Sequence, residues 1–290
     1  MNTNNLSYQF KTANVVIKLI VVNLLIFLVV RLTAFFMQIA PKSLVAWFML
    51  PDAISEVIVQ PWAFLTYSFL HFGFWHLLFN MLWLYYFGNY VLNLFTGKRL
   101  LTIYLLGAIF GGLLYVVSYN LFPVFENSRS DLIGASGSVT AIIVFIATYT
   151  PNAEMRLFKW NIKLWHIAVF LVLMDLIRLP VAGNEGGMLA HLGGALFGYV
   201  YAKQLAKGND IGKWFEATID WFTNLFKTRK QKPFKKVHRT TTTASSRSSS
   251  KSPVTANQKK IDAILDKIGK SGYDSLTKAE KDFLFKAGKE

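Results

Sequence analysis

The stretch GASGSVTAIIVFIATYTP, residues 134–151, sets a serine between two glycines and follows it with an apolar run that stops at Thr150-Pro151. From Val139 to Tyr149 that run is 11 residues, roughly 17 Å of helix at about 1.5 Å per residue. The hydrocarbon core of a bilayer is roughly 30 Å thick. If Pro151 marks one membrane face, Ser136 lies below the other, and a serine so recessed needs a water-filled cavity. On its own the motif is weak. Ser136 can be a helix cap, or Gly134 and Gly137 can be there to allow close backbone approach and room for a substrate.

Outward from this stretch the chain is a series of apolar segments. A membrane helix needs about 20 mostly apolar residues. Val15–Met37 meets that length, with Lys18 and Arg31 near its ends, where long side chains snorkel. The first apolar run lacks a small-residue cleavage site and reads as a retained span. Ser43 to Trp62 is apolar but broken by Pro51 and Pro61, an interfacial loop with short helices. A second span runs from about His71 to Phe95, and a third from Leu100 to Leu121 after the basic turn Gly97-Lys98-Arg99. A polar loop at 122–133 precedes the span that begins near Ser136. A fifth covers Leu164 to Ile177 and a sixth Met188 to about Ala206. The predicted fold is an all-α membrane protein, a bundle of six transmembrane helices with a basic cytoplasmic tail. Lys98, Arg99, Arg156, Lys159 and Lys163 fall in alternate connections, so the positive-inside rule puts both termini in the cytoplasm.

Composition agrees. Of 290 residues, 53% are hydrophobic and only 16% charged, against about 25% charged in soluble domains. The formal net charge is +15, concentrated in residues 203–290, where 20 Lys/Arg face 9 Asp/Glu. With no cysteine, disulfides, thiolate metal sites and a cysteine nucleophile are excluded. Five segments follow: a cytoplasmic N-terminus at 1–12, the helical body at 13–206, an amphipathic and polybasic stretch at 207–237, a linker at 238–258 and a small helical module at 259–290.

In the tail, Ile211, Trp214, Phe215, Thr218, Phe222 and Leu225 recur at helical spacing ahead of Lys227, Arg229, Lys230, Lys235 and Lys236. This pattern suits a surface helix on an anionic cytoplasmic leaflet, or a helix packed on the body. Nucleic acid binding would also use basic residues, but the leaflet accounts for them more simply. The Ser/Thr-rich linker has too little apolar surface to fold. Ile261, Ile264, Leu265 and Ile268 then form a helical stripe, Gly272 breaks it, and Thr277 with Glu280 has capping-box spacing, which together predict a helical hairpin.

Polar residues within spans are costly and mark candidate function. His191 in the sixth span shares a helix face with Gly194 and Gly198, and small residues at four-residue spacing let helices approach closely. Were the fourth span the neighbour, His191 would be placed to take the Ser136 proton as general base; otherwise it is a structural histidine bonded to a carbonyl. His76 and Asn80 are one turn apart and can donate to a developing oxyanion or tie helices together. His71 precedes that helix and supports the site from the loop side. Two or three histidines could bind zinc, but carboxylate ligands are lacking nearby, so neither metal nor cofactor is expected. Asp175 invites a triad reading, yet its spacing to Arg178 at a span's end is better explained as a local ion pair.

Taken together, H-x4-H-x3-N, G-x-S-G and A-H-x2-G-x3-G, in that order on the second, fourth and sixth spans, resemble the rhomboid intramembrane serine proteases. The resemblance covers about residues 13–206. It implies a six-helix bundle, Ser136 as nucleophile and His191 as general base in a dyad without a carboxylate. It also implies an oxyanion site from His76, Asn80 and the Ser136 backbone N–H, and transmembrane segments of other proteins as substrates. The bacterial inner membrane would be the location. The alternative is a rhomboid-like pseudoprotease that binds such segments without cutting them. A transporter would show internal repeats and paired broken helices, which are absent. The tail from Lys259 to Glu290 resembles C-terminal appendages of some bacterial members. Three positions depart from well-known members. Ala63 follows Trp62 where an arginine is common, Leu92 stands where many have glutamate, and Thr140 replaces a tyrosine that stacks on the catalytic histidine.

Overall fold

The computed structural model describes residues 6–157, 159–225 and 256–287. It is mostly helical, in two compact units, 1–228 and 229–290. The first contains α1 (Val15–Met37), α2 (Phe74–Leu94), α3 (Gly97–Leu121), α4 (Ser136–Tyr149), α5 (Leu164–Arg178), α6 (Glu185–Ala206) and α7 (Lys213–Leu225). By length and apolar composition, α1 and α3 can cross a membrane.

Helix α4 is the centre of the fold. It packs against α2, α3, α5 and α6, and every residue from Gly137 to Ala147 is buried. Apart from Ser138 and Thr140, those residues are glycine or apolar, which lets the helix bury all round rather than along one stripe. Glycines set the α4–α6 spacing. A Cβ at Gly194 would run into the Gly137 carbonyl, and one at Gly198 into the Ala141 carbonyl. From the other side, a Cβ at Gly107 of α3 would lie 2.6 Å from Ala141 Cβ. The outer helices differ: α1 buries only Val16, Leu19, Asn23 and Ala34, while Val29, Phe36, Phe170, Ile177 and Leu196 of α1, α5 and α6 are exposed.

Two short ladders pin the loops. Strand β1 (Leu50–Pro51) pairs antiparallel with β2 (Asp131–Leu132), tying the proline-broken segment to the loop ahead of Ser136. Buried Asp52 accepts the Ser130 N–H at 2.8 Å, and Lys42 pairs with Asp131 at 2.6 Å. That carboxylate holds the lysine ammonium above its usual range. Between α4 and α5, β3 (Glu154–Leu157) and β4 (Trp160–Lys163) form a hairpin where the sequence reading has only a basic loop.

Ile211, just ahead of helix α7, and Phe215 pack on the core. Arg99 reaches Asp210 and Glu216, and Lys98 pairs with Asp220 at 2.6 Å. Trp214, Trp221, Phe222 and Leu225 are exposed. The polybasic run at 227–237 and most of the linker lie outside the described residues. In the second unit, α8 (Ala256–Ser271) and α9 (Lys278–Ala287) flank a turn at Gly272, whose φ is 75°. Glu280 accepts the Thr277 N–H at 2.7 Å, and the Glu280 N–H reaches Thr277 Oγ1 at 3.4 Å, a reciprocal cap.

Candidate active site

Ser136 is the first residue of α4. The first bond of that helix runs from the Val139 N–H to the Ala135 carbonyl at 2.9 Å. The Ser136, Gly137 and Ser138 N–H groups therefore have no intrahelical acceptor and point positive charge toward the serine. Two bonds hold the loop that delivers it. The Gly134 N–H donates to the Tyr67 carbonyl at 2.9 Å, and the Ala135 N–H donates to His71 Nε2 at 3.3 Å. His71 is 2% exposed, and because Nε2 accepts, its neutral ring carries the proton on Nδ1. Tyr67 is itself anchored by its hydroxyl on the Ala108 carbonyl at 2.8 Å.

Gly134 is required twice. Its φ of 113° lies where side chains are rarely tolerated, and a Cβ there would sit 2.6 Å from His76 Cε1 and 3.8 Å from Ser136 Oγ. The His76 ring and the serine hydroxyl thus flank one glycine. His76 also meets the His71 ring edge-on, with centroids 4.9 Å apart. Asn80 is buried and donates through Nδ2 to the His76 carbonyl at 2.9 Å, which leaves the second hydrogen of its amide for another acceptor.

His191 lies on α6 beside Ala190, whose carbonyl would be 3.1 Å from a Cβ at Gly137. Ser136 Oγ makes no hydrogen bond among the described residues, and such bonds often tighten only when substrate binds.

One expectation is overturned. Asp175 does not pair with Arg178; its carboxylate oxygens lie 3.1 and 3.0 Å from His191 Nδ1. Its side chain is 15% exposed and that of His191 22%. The reason is tertiary. Helices α5 and α6 are consecutive and packed together, joined by a short connection, so residues near the end of one and the start of the other come level. The signal was in the sequence, as an acid and a histidine on either side of one tight connection, but a contact within a helix is visible to spacing and one between helices is not.

Of the residues singled out from sequence, Ser136, Gly134, Gly137, His71 and His76 come together at the start of α4, Ala190 beside His191 meets Gly137, and Gly194 and Gly198 seat α6 on α4. Asn80 lies one turn beyond His76, tied to its own helix. Tyr67, which holds Gly134, carried no sequence signal, since a tyrosine in an apolar loop has no distinguishing pattern.

A fold built around this serine-bearing helix, with histidines on the helices to either side, has the make-up of a rhomboid domain. The family model described as "Rhomboid domain" matches residues 59–208, and the chain belongs to the rhomboid family, an integral-membrane one. It is 29% identical over 155 residues to RHOMBOID-like protein 12, mitochondrial, of Arabidopsis thaliana, covering 50% of this chain and 46% of that one. It is 26% identical over 167 residues to Rhomboid protease GlpG of Yersinia pestis, covering 55% and 53%. Similarity to the human Presenilin-associated rhomboid-like protein, mitochondrial, is 25% over 201 residues, covering 68% and 49%. The chain thus spans about half the length of these relatives. Residues 254–287 match a family of unknown function, DUF6576.

Proposed function

We propose that this protein is an intramembrane serine endopeptidase that cuts transmembrane segments of other proteins. The observation that carries the reading is that Ser136 Oγ and the His76 ring flank Gly134, while α6, which bears His191, packs its Gly194 against the Gly137 backbone. Ser136 gives its proton to His191 Nε2 as Oγ attacks the scissile carbonyl carbon. The oxyanion takes hydrogen bonds from the Ser136 N–H, His76 and the free amide hydrogen of Asn80. The C–N bond then breaks, and the imidazolium returns its proton to the leaving amine. Water, activated by the same nitrogen, hydrolyses the acyl-enzyme. No metal or cofactor takes part.

Six transmembrane spans, α1 to α6, suit the exposed apolar side chains of the outer helices and the 14-residue length of α4, which is too short to cross alone and so recesses its serine. The basic Lys98–Arg99 turn and the β3–β4 hairpin with Arg156, Lys159 and Lys163 favour a cytoplasmic position for that end, with both termini inside a bacterial inner membrane. The exposed aromatic face of α7 suits contact with an anionic leaflet; residues 1–12, the linker and the terminal hairpin are appendages to the catalytic body.

The test is purified protein in liposomes with a transmembrane substrate. Wild type should cleave it and be labelled by a fluorophosphonate, and Ser136→Ala and His191→Ala should do neither. Cleavage by Ser136→Ala sinks the reading. A wild type that binds the substrate and is neither labelled nor active would make it the non-cleaving family member instead.

A further inference from the structure

We infer that Asp175 is a positioning residue for His191, so that this chain works with a Ser136–His191–Asp175 arrangement rather than a bare Ser–His pair. The inference rests on the protease reading for its kinetic consequence but not for its geometry. Both carboxylate oxygens reach one nitrogen, His191 Nδ1, at 3.0 and 3.1 Å. A carboxylate only 15% exposed is costly to hold among apolar helices unless it is bonded. Among the described residues its only side-chain partner is His191.

The consequence follows from the chemistry of imidazole. A carboxylate only accepts, so Nδ1 must carry the hydrogen, and Nε2 keeps its lone pair for the serine proton. When Nε2 takes that proton the ring becomes cationic, and the neighbouring carboxylate stabilises it without itself being protonated. Without the carboxylate a neutral histidine is free to exchange its proton between the two nitrogens and to rotate. The other histidines of the site, His71 and His76, carry no negative charge in either protonation state and cannot substitute for a fixed one. Asp175 lies on α5 and His191 on α6, so any displacement of α5 from α6 would also release the base.

The experiment has two arms, both on the full-length protein. Histidine-labelled wild type and Asp175→Asn are compared by 15N NMR, with the His191 signal assigned by its loss in His191→Gln. Neutral wild-type His191 should be protonated on Nδ1, and Asp175→Asn should lose that preference. In the kinetic arm, kcat should fall by about ten- to hundred-fold with KM changed less than about two-fold, and Asp175→Glu should recover part of the loss. A wild-type His191 protonated on Nε2, an Asp175→Asn protein with the same tautomer as wild type, or an unchanged kcat would each overturn the inference. Should Asp175→Asn fail to fold, the wild-type tautomer and Asp175→Glu still decide it. A wild type with the Nδ1 tautomer but no cleavage or labelling would sink the protease reading and leave the positioning role standing.

Discussion

His71 Nε2 accepts the backbone N–H of Ala135 at 3.3 Å, across 64 residues of chain, so a loop histidine holds the residue immediately before the candidate nucleophile. Removing the acceptor leaves a buried N–H unsatisfied, at about 1–3 kcal/mol. His71→Ala should therefore lower the thermal midpoint and slow fluorophosphonate labelling of Ser136, while His71→Gln, which can still accept, should be milder. Equal labelling rates for His71→Ala and wild type would show that the contact has no role in delivering the serine.

Gly134→Ala should abolish labelling. The backbone strain at φ 113° costs about 1–3 kcal/mol, and the new methyl meets the His76 ring, a short and stiff side chain. Relief by His76→Ala in the double variant would restore the fold without restoring cleavage, and thermal melting and substrate gels would separate the two effects.

Glycines elsewhere should respond with opposite signs. A side chain at Gly194 meets the Gly137 backbone, which cannot move without shifting Ser136, so Gly194→Val should cost about 1–3 kcal/mol or more. Gly269, inside α8, has nothing within 4 Å of its missing Cβ, so Gly269→Ala should stabilise its helix by about 0.5–1 kcal/mol. Hydrogen exchange resolved by segment would read both.

Arg99 joins Asp210 and Glu216 to the start of α3, with all three side chains mostly shielded. Arg99→Ala leaves two carboxylates with no guanidinium, at about 1.5–3 kcal/mol for each charged hydrogen bond lost. Faster amide exchange throughout 213–225 is the expected result, with the exchange of α4 unaltered.

The terminal hairpin should weaken in acid. Bonds from the Thr277 backbone, then from Lys267 and the Thr277 hydroxyl, hold the Glu280 carboxyl down from 4.5 to about 2. A depressed carboxylate stabilises the fold fully above its unfolded value, and that contribution is lost as pH falls through the folded one. Exchange protection in 256–287 should accordingly drop between about pH 4.5 and about pH 2. Glu280→Gln should flatten that dependence, and an unchanged profile in this variant would contradict it.

Much of the fold is legible in the chain. Val15–Met37 reads as one helix because its apolar run is unbroken, and the structure has the same bounds. Helix α2 begins three residues later than its apolar signal, because Gly73 caps it and leaves His71 in the loop, where it can turn toward Ala135. Glu154–Leu157 and Trp160–Lys163 each alternate polar and apolar residues, but the β3–β4 hairpin escaped because four-residue runs are the shortest that signal a strand and their basic residues read as a loop.

By itself the sequence determined which residue types were available: a serine among glycines, histidines and asparagines within apolar segments, and no thiol. It also determined that α6 could press close to a neighbouring helix, since Gly194 and Gly198 recur on one face. Only the tertiary structure decided which of these groups meet. The partner of Asp175 depends on how α5 turns into α6, and the acceptor for Ala135 on a loop 64 residues upstream. Periodicity reports the face a side chain shares with its own helix, whereas the neighbour across the gap is set by packing the whole bundle.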